Sequence, residues 1–336
     1  MTKSIYNSIL VTGGCGFIGS HFIEYFSEYY QDTKIINIDK LGYAVSNKTV
    51  ELLNQINNYS FYKVDITDIK DVKKIFSENN FDAIFHFAAE SHVDNSITSP
   101  SDFVNSNIMG TYNLLECTRH SKDLGKNIFF HHISTDEVYG SLSKSENPFE
   151  EDNKYLPSSP YSASKASSDL LVEAWSRTYN LDYLITNCSN NYGSRQNIEK
   201  LIPKIIKNAV IGKEIPIYGT GDNIRDWLFV KDHVDGILKL HTAKKKNTTY
   251  NIGGGFEISN IDLTHMILSI LEEDYNFLDL KKLIRFVEDR KGHDFRYAIN
   301  SSKIFDEAGW QPSNSFQHNL NQTIEWYIKN QSWWDE

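Results

Sequence analysis

The chain has 336 residues, of which 40% are hydrophobic and 23% charged, as in a globular protein with a large core. Its formal net charge of -10 disfavours nucleic acid and anionic membranes as partners, because both attract basic surfaces. No apolar run approaches the roughly 18 residues of a membrane-spanning helix, and a strand predicted from Ile5 onward leaves no room for a signal peptide. We therefore expect a cytoplasmic protein that binds neither nucleic acid nor a membrane.

Apolar strand-like runs alternate with helical segments through the first half of the chain. The predicted strands are residues 5–11, 34–38, 60–64, 83–87, 128–133 and 184–188, and the predicted helices include residues 69–79, 102–122 and 161–179. This alternation predicts an α/β fold with a Rossmann-type, doubly wound parallel sheet. The later elements are shorter. We expect a cofactor domain of residues 1–188 with returning segments from about 225–252, and a smaller, interleaved C-terminal substrate-binding lobe within residues 189–336.

A glycine-rich turn follows the first predicted strand. Gly13, Gly16 and Gly19 are spaced to bring the backbone and a helix N-terminus close to a pyrophosphate. Such a turn alone is also typical of a plain strand-to-helix loop. Asp39, however, ends the next strand about twenty residues later, where an acid accepts hydrogen bonds from ribose hydroxyls and repels a 2'-phosphate. The combination predicts NAD binding. Asp65, after the third strand, is interpreted as an adenine contact, a helix N-cap, or both.

Two adjacent acids, Asp136 and Glu137, come directly after the predicted strand 128–133. The carboxyl ends of parallel strands open into the ligand crevice, so the pair is expected there. A solvated turn is the alternative. His131 and His132 on the same strand are interpreted as packing residues. No metal site is expected, because the three cysteines, Cys15, Cys117 and Cys188, are scattered and indicate reduced thiols.

Tyr161 and Lys165 are four residues apart, which places them on one face of the predicted helix 161–179. A lysine ammonium beside a phenol is expected to lower the tyrosine pKa towards neutrality and so provide a general base for an alcohol. Many helices carry this spacing by chance. Arg225 and Arg290 lie in loops of the second half and are suited to grip a diphosphate, with surface ion pairs as the alternative.

With these motifs in this order, the chain resembles the nucleoside-diphosphate-sugar 4,6-dehydratases, which are extended short-chain dehydrogenases/reductases. The resemblance extends over nearly the whole chain and is carried by residues 11–14, 88–94, 134–140, 161–166, 188–193, 199–203 and 225–227. The acid pair favours this family over the sugar-nucleotide epimerases, which share the glycines and the Tyr/Lys pair. Departures lie in residues 194–199, at Lys291 in place of a proline and at Gly42 in place of a threonine.

The resemblance implies a sugar-nucleotide substrate, bound NAD and release of water. It implies that Tyr161, with Lys165, takes the proton of the sugar 4-hydroxyl, while Thr135 holds the 4-oxygen. Glu137 would then remove the C5 proton and Asp136 would protonate the departing 6-hydroxyl. The expected cofactor contacts are Gly13, Gly16, Phe17, Ile18, Gly19, Asp39, Lys40, Asp65, Ile66, Ala88, Ala89, Ser91, Ser106, Tyr161, Lys165 and Asn191. The expected substrate contacts are His92, Thr135, Asn190, Glu199, Lys200, Leu201, Pro216, Tyr218, Arg225, Asn260, Arg290 and His293.

The identity of the substrate stays open within this resemblance. dTDP-glucose is favoured, and UDP-glucose or a UDP- or GDP-linked N-acetylglucosamine are alternatives, because the departures lie near substrate or cofactor. A 4-epimerase is less favoured, and a non-catalytic NAD-binding protein is disfavoured because every acid/base residue is present. The resemblance also implies a homodimer, formed through a four-helix bundle by the segments 102–122 and 161–179.

Overall fold

The computed structural model describes residues 5–313 and 315–334. The strands are β1 (Ser8–Thr12), β2 (Lys34–Asp39), β3 (Tyr59–Lys63), β4 (Ala83–His86), β5 (Phe129–Thr135), β6 (Tyr183–Cys188), β7 (Asn190–Tyr192), β8 (Ile215–Tyr218), β9 (Ile224–Phe229), β10 (Thr248–Ile252), β11 (Glu257–Ser259) and β12 (Ile284–Val287). The α-helices are α1 (Phe17–Tyr29), α2 (Asn47–Leu53), α3 (Ile69–Glu78), α4 (Val93–Thr98), α5 (Pro100–Phe103), α6 (Gly110–Asp123), α7 (Pro160–Tyr179), α8 (Leu201–Val210), α9 (Val230–Thr242), α10 (Asn260–Tyr275), α11 (Ser302–Ala308) and α12 (Phe316–Lys329).

Seven strands form the central sheet, in the order β10-β6-β5-β4-β1-β2-β3, and all of their pairings are parallel. The inner strands are buried along most of their length, and β1 carries the fully buried apolar run Ile9, Leu10 and Val11. Such continuous apolar runs are typical of strands covered on both faces. One face packs on α1 and α9, and the other on α3, α6 and α7. The predicted doubly wound α/β sheet is therefore confirmed.

The strand order reverses between β1 and β4, which is where open α/β sheets bind ligands. Beyond β6, the chain builds a second apolar core from α8, α10 and α12, beside the three-stranded sheet β11-β9-β7 and the pair β12-β8. β10 returns to the edge of the main sheet next to β6. Among the described residues, no helix is long and apolar enough to cross a membrane.

The predicted helix 102–122 is interrupted. A π-helical stretch, Val104–Met109, separates α5 from α6. The side chain of Asn107 in this stretch accepts a hydrogen bond from Glu90 N (2.8 Å) and donates to Glu90 O (3.0 Å) and Ser164 Oγ (2.8 Å). These buried polar contacts stabilise the wider turn, and π-helical turns are common at functional sites. The predicted helix is thus confirmed in its extent, from α5 to the end of α6, but the π-helical stretch within it was not predicted.

Candidate active site

The glycine turn between β1 and α1 has the backbone geometry of a dinucleotide-binding loop. Gly13 has a φ of +69°, its N–H donates to Ile38 O at 2.9 Å, and its carbonyl accepts from Gly16 N at 3.1 Å. A Cβ atom on Gly13 would lie 2.6 Å from the backbone of Ala88. The turn thus requires glycine for its conformation and for its close approach to the strand-end segment after β4.

Asp39 ends β2 at the edge of the same cleft. Its Oδ1 accepts a hydrogen bond from Leu41 N (2.8 Å) and its Oδ2 from Cys15 N (3.0 Å). Burial raises the pKa of this carboxyl, and the two N–H donors oppose that rise. Asp65 accepts from Thr67 N at 2.9 Å, whereas the N-cap of α3 is Asp68. Of the two interpretations of Asp65, the helix cap was therefore wrong.

A cleft of about 320 Å³ runs along the carboxyl ends of the central strands. It brings together every residue predicted for the cofactor: Gly13, Gly16, Phe17, Ile18, Gly19, Asp39, Lys40, Asp65, Ile66, Ala88, Ala89, Ser91, Ser106, Tyr161, Lys165 and Asn191. The five predicted catalytic residues, Thr135, Asp136, Glu137, Tyr161 and Lys165, line it as well. Gly42, expected near substrate or cofactor, also lines the cleft, whereas Tyr43, Ala44 and Val45 were missed because no motif marks them.

A second cavity of about 190 Å³ adjoins this cleft. Glu137, Asn190 and Lys200 belong to the walls of both. The predicted substrate residues that line the second cavity are His92, Asn190, Glu199, Lys200, Leu201, Pro216, Tyr218, Arg225, Asn260, Arg290 and His293. Residues missed by the sequence reasoning include Asp94, Ser159, Lys204, Trp227, Asp294 and Tyr297. Glu137 therefore lies where the two compartments meet.

Asp136 and Glu137 form a short 3-10 turn directly after β5. Asp136 is 2% exposed, and the Thr135 hydroxyl donates to its Oδ1 at 3.3 Å. Burial raises the pKa of Asp136 well above its usual value, and the carboxyls of Glu137 and Asp226 raise it further. Burial also raises the pKa of Glu137, but Arg225, Lys200 and Arg290 oppose that rise. Burial and the neighbouring carboxyls thus favour the protonated form of Asp136, and the alternative of a solvated turn is wrong.

Tyr161 and Lys165 both project into the cleft from the first turns of α7, which begins with a Ser159 capping box. Lys165 Nζ donates to Ile133 O at 2.8 Å and lies 3.2 Å from His132 Nε2. Burial, followed by the charge of Glu137, raises the pKa of Tyr161 well above its usual value. The predicted lowering of the Tyr161 pKa is therefore wrong for the protein alone, because burial of the phenol dominates.

The two predicted diphosphate-binding arginines are held differently. Arg290 forms a bidentate ion pair with Asp94, with Nε–Oδ1 at 2.6 Å and Nη2–Oδ2 at 3.0 Å, and Tyr218 OH donates to the same carboxylate at 3.1 Å. Arg225 is buried, donates to main-chain carbonyls such as Asp294 O (3.1 Å), and stacks on the Tyr297 ring. Both line the second cavity. The alternative of a surface ion pair is wrong for Arg225, which is buried, whereas Arg290 does form an ion pair, with Asp94 in the wall of this cavity.

Further ionisable side chains surround this cavity. Lys200 Nζ donates to Ser91 O at 3.0 Å, and His92 Nε2 lies 3.8 Å from Glu199 Oε2. Burial lowers the pKa of His92 to about 4, so that its ring is neutral at physiological pH. No cluster of His, Cys, Asp and Glu that could hold a metal occurs within residues 5–313 and 315–334. The three cysteines are buried free thiols.

A dinucleotide-binding turn, an acid pair and a Tyr/Lys pair around one cleft define an NAD-type α/β enzyme of the extended short-chain dehydrogenase/reductase class. Residues 10–323 match the family model described as GDP-mannose 4,6 dehydratase. The dTDP-glucose 4,6-dehydratase of Haemophilus influenzae is 50% identical over 335 residues, covering 97% of this chain and 99% of the relative. The chain therefore belongs to the dTDP-glucose 4,6-dehydratase family of nucleotide-sugar dehydratases.

Solved structures agree with this assignment. The dTDP-glucose 4,6-dehydratase of Streptomyces venezuelae, with NAD and TYD bound, superimposes with a TM-score of 0.89 at 41% identity and covers 98% of this chain and 99% of its own. The UDP-glucose 4-epimerase of Thermotoga maritima, with UDP-glucose, gives a TM-score of 0.85 at 29% identity, with 96% and 99% covered. The fold is thus shared with epimerases, and the identity is higher to the dehydratase.

Proposed function

We propose that the chain converts dTDP-glucose to its 4-keto-6-deoxy product and water, with NAD as the cofactor. The single observation that carries the proposal is the Asp136–Glu137 pair at the end of β5, in the wall of the NAD-type cleft. The two carboxyls have different surroundings, as acid/base pairs require. Relatives named for this reaction, at 50% identity and nearly full length, support the choice of substrate.

Tyr161 and Thr135 are assigned to the first step, the oxidation at C4. Tyr161 would take the proton from the 4-hydroxyl, while the Thr135 hydroxyl, which also contacts Asp136, would hold the 4-oxygen. Bound NAD would supply the acceptor for the C4 hydride and later, in its reduced form, the donor of the same hydride to C6, while a proton returns to C5. Because burial raises the pKa of Tyr161, its deprotonation depends on positive charge nearby, which Lys165 provides from one turn along α7.

Glu137 and Asp136 are assigned to the elimination. A ketone at C4 acidifies the C5 proton, which Glu137 would remove as the more readily ionised carboxyl. Asp136, which holds its proton because it is buried beside Glu137 and Asp226, would protonate the 6-hydroxyl as it leaves as water. The cations Arg225, Lys200 and Arg290 favour the anionic form of Glu137 and so favour its role as the base.

The second cavity is proposed to hold the nucleoside diphosphate. Arg225 and Arg290 would bind the phosphates, and Arg290 Nη1 stays available because Asp94 engages only Nε and Nη2. Lys200, His92 and the other predicted contacts would surround the sugar and the base. We also propose that residues 1–188, with segments from about 225–252, bind the cofactor and that the remaining lobe binds substrate, which the separate apolar core of α8, α10 and α12 supports.

A 4-epimerase is the second candidate, since such an enzyme shares the fold at a TM-score of 0.85. It would form the same ketone without losing water. The test is mass spectrometry of the products when dTDP-, UDP- and GDP-linked glucose and N-acetylglucosamine are offered together. We expect a product of dTDP-glucose that is lighter by one water. An unchanged mass for every sugar nucleotide would contradict a dehydratase, and preferential loss of water from a UDP- or GDP-linked sugar would contradict the proposed substrate.

A homodimer, formed by α6 and α7 together with the same helices of a second copy, is part of the proposal. These helices pack against each other and leave apolar side chains exposed, including Met109 just before α6, Tyr112 on α6 and Leu170 on α7. Burying such a face against a copy of itself is typical of two-fold dimers. A cytoplasmic location is also proposed, and the three free thiols support it.

A further inference from the structure

A buried polar cluster adjoins Lys165 and has no role in the reaction described above. It consists of His132, Ser134 and Asp169, and we call it the Asp169 cluster. Asp169 follows Lys165 by one helical turn on α7, just as Lys165 follows Tyr161, so these three side chains share one face of the helix. Lys165 is 3% exposed, Asp169 1% and His132 0%. Charged groups this deeply buried require partners.

Contacts within the cluster connect the carboxylate to the lysine. Lys165 Nζ donates to Ile133 O at 2.8 Å and to His132 Nε2 at 3.2 Å. The same His132 Nε2 lies 3.1 Å from Asp169 Oδ1, but it accepts from the lysine and so does not donate to the carboxylate. Ser134 Oγ donates to Asp169 Oδ2 at 2.8 Å. A lysine ammonium has three N–H donors. Two are thus engaged by β5, and the third is left for the cleft that Lys165 lines.

The other ionisable groups around the cluster are neutral near pH 7. They lie on β4, β5 and β6 and in the segment between β5 and α7. Burial lowers the pKa of the imidazoles well below the usual value and raises the pKa of the thiol to about 12 and of the phenols above the usual value. These groups are His86, His132, Cys188, Tyr139 and Tyr155. Asp169 is therefore the group of this cluster that carries negative charge as the pH rises through neutrality.

Lys165 and Asp169 stabilise each other's charged forms. Burial lowers the pKa of Lys165 to about 8, and the Asp169 carboxylate opposes this change. Burial raises the pKa of Asp169 to about 7, and the Lys165 ammonium opposes it. Near neutral pH both ions coexist because each is close to the other. Removal of the carboxylate would leave a buried ammonium with its full desolvation penalty.

We propose that Asp169 and His132 are positioning residues for Lys165: Asp169 keeps the lysine charged, and His132 holds its ammonium in the cleft. The inference rests on the proposed function only in that the charge of Lys165 is taken to favour deprotonation of Tyr161, the proposed base. It extends the Tyr-x-x-x-Lys pair to Tyr-x-x-x-Lys-x-x-x-Asp, with the imidazole of β5 contacting both charged groups.

The direct test is the titration of Lys165 by NMR in protein with carbon-13-labelled lysine, with the signal assigned by its loss in Lys165→Met. In Asp169→Asn, which keeps the shape of the side chain, we expect the midpoint to fall by about one pH unit, a tenfold change in the protonation equilibrium. The control Asp232→Asn removes a buried carboxylate on α9, which accepts from Ser313 Oγ and from Asn319 Nδ2. We expect no change of the Lys165 midpoint in this variant. An unchanged midpoint in Asp169→Asn would overturn the proposal. No substrate is needed, so this result is separate from a failure of the proposed reaction.

Kinetics provide the second readout. Asp169→Asn should lower kcat about twofold at pH 7 and about tenfold above roughly pH 9, leave KM within about twofold, and so move the alkaline limb of the kcat–pH profile to lower pH. A loss of kcat that is equal at every pH would indicate a structural role and would overturn the proposal.

If Asp169→Asn does not fold, His132→Leu and His132→Gln replace it. Leucine removes the acceptor of the lysine N–H and should lower kcat about tenfold, whereas the glutamine oxygen can accept it and should restore about half of kcat. Wild-type kcat in His132→Leu would equally overturn it.

Discussion

Neighbouring carboxyl groups on one short turn have different surroundings in this protein. Burial raises the pKa of both groups; the carboxyls of Glu137 and Asp226 raise that of Asp136 further, whereas the cations Arg225, Lys200 and Arg290 oppose the rise for Glu137. Two acids in the same environment would have similar pKa values, and neither would be set as the acid or as the base. The different neighbours separate the two functions, so that the buried Asp136 can give a proton and Glu137 can take one.

Replacement of Glu137 by glutamine should separate oxidation from elimination. The amide keeps the size of the side chain but cannot take a proton from C5. We expect water loss from dTDP-glucose to slow at least about 100-fold, the lower range for loss of a general base, while reduction of bound NAD still occurs. Deuterium uptake at C5 from heavy water and the absorbance of reduced nicotinamide measure the two steps.

Asp136→Asn is the matched comparison for Glu137→Gln. Loss of the acid should slow the departure of the 6-hydroxyl and leave C5 exchange in place, since Glu137 is still present. Equal C5 exchange in Glu137→Gln and in the wild type would contradict the assignment of Glu137 as the base. Exchange that disappears in Asp136→Asn and persists in Glu137→Gln would reverse the two roles.

Asp94 orients Arg290 through a bidentate ion pair, and Asp94→Asn should weaken that orientation. We expect KM for the sugar nucleotide to rise about tenfold, near the lower end of the roughly 1.5–3 kcal/mol of a hydrogen bond to a charged group. NAD affinity should change little, because Asp94 lines the second cavity and not the cofactor cleft. Steady-state kinetics and calorimetric titration with NAD measure the two quantities.

Asp182→Asn is the control for Asp94→Asn, because it breaks an exposed carboxylate pair with Lys246 (3.1 Å) elsewhere on the surface. Exposed pairs contribute little, so its KM should match the wild type. A KM in Asp94→Asn that is unchanged or lower would indicate that Asp94 competes with the substrate for Arg290 and does not orient the arginine for it.

At the scale of elements, the β1–α1 turn depends on Gly13 for both conformation and space. Gly13→Ala should lower the free energy of unfolding by about 3 kcal/mol, because a left-handed alanine costs roughly 1–2 kcal/mol and the Cβ would meet the Ala88 backbone at 2.6 Å. Gly125→Ala shares the positive φ, at +82°, and has no atom within 4 Å of the added Cβ. It should lose only about 1 kcal/mol.

Urea unfolding of the two alanine variants, with calorimetric titration of NAD, separates these effects. Gly13→Ala should bind NAD at least about tenfold more weakly, and Gly125→Ala should bind it as the wild type does. Similar losses of stability in both variants would show that contact with Ala88 contributes nothing. Normal NAD binding by Gly13→Ala would contradict a role of this turn in the cofactor site.

Elements with a strong local signal were predicted well, and one with a tertiary cause was not. The apolar runs of β1 to β6 and the periodic helices α3 and α7 were recognised within a few residues. The π-helical stretch Val104–Met109 was missed, since its wider turn is stabilised by Asn107 contacts with Glu90 and Ser164, which are distant in sequence. A hydrophobic period read along one segment does not contain such contacts.

Among the residues of the site, those with a local sequence signal were likewise predicted, and those that depend on tertiary contacts were not. The predicted residues lie in motifs next to strand ends, and the parallel sheet brings those ends together at one edge. Asp94 and Asp169 were missed because the roles proposed for them depend on partners in other elements: Arg290 is 196 positions from Asp94, and His132 contacts Asp169 from β5. His132 was rightly expected to be buried, but its contact with Lys165 has no sequence signal.

Helix α7 connects the proposed dimer interface with the site, because it carries Tyr161 and Lys165 on its buried face and Leu170, 58% exposed, on its outer face. If α6 and α7 pair with a second copy, Leu170→Lys should raise the dimer dissociation constant at least about 100-fold, since it removes roughly 1.5–3 kcal/mol of apolar burial per subunit and adds an unpaired charge. Sedimentation velocity over a range of protein concentrations measures this constant.

Leu278→Lys is the control for the dimer, because Leu278 is 81% exposed and lies outside α6 and α7. This variant should sediment like the wild type, while Leu170→Lys sediments as a monomer at the same concentration. A wild type that is monomeric throughout, or a Leu170→Lys variant that stays dimeric, would contradict assembly through these helices. Lower kcat in the monomer would further show that packing on the outer face of α7 supports the position of Tyr161 and Lys165 on its inner face, where the proposed chemistry begins.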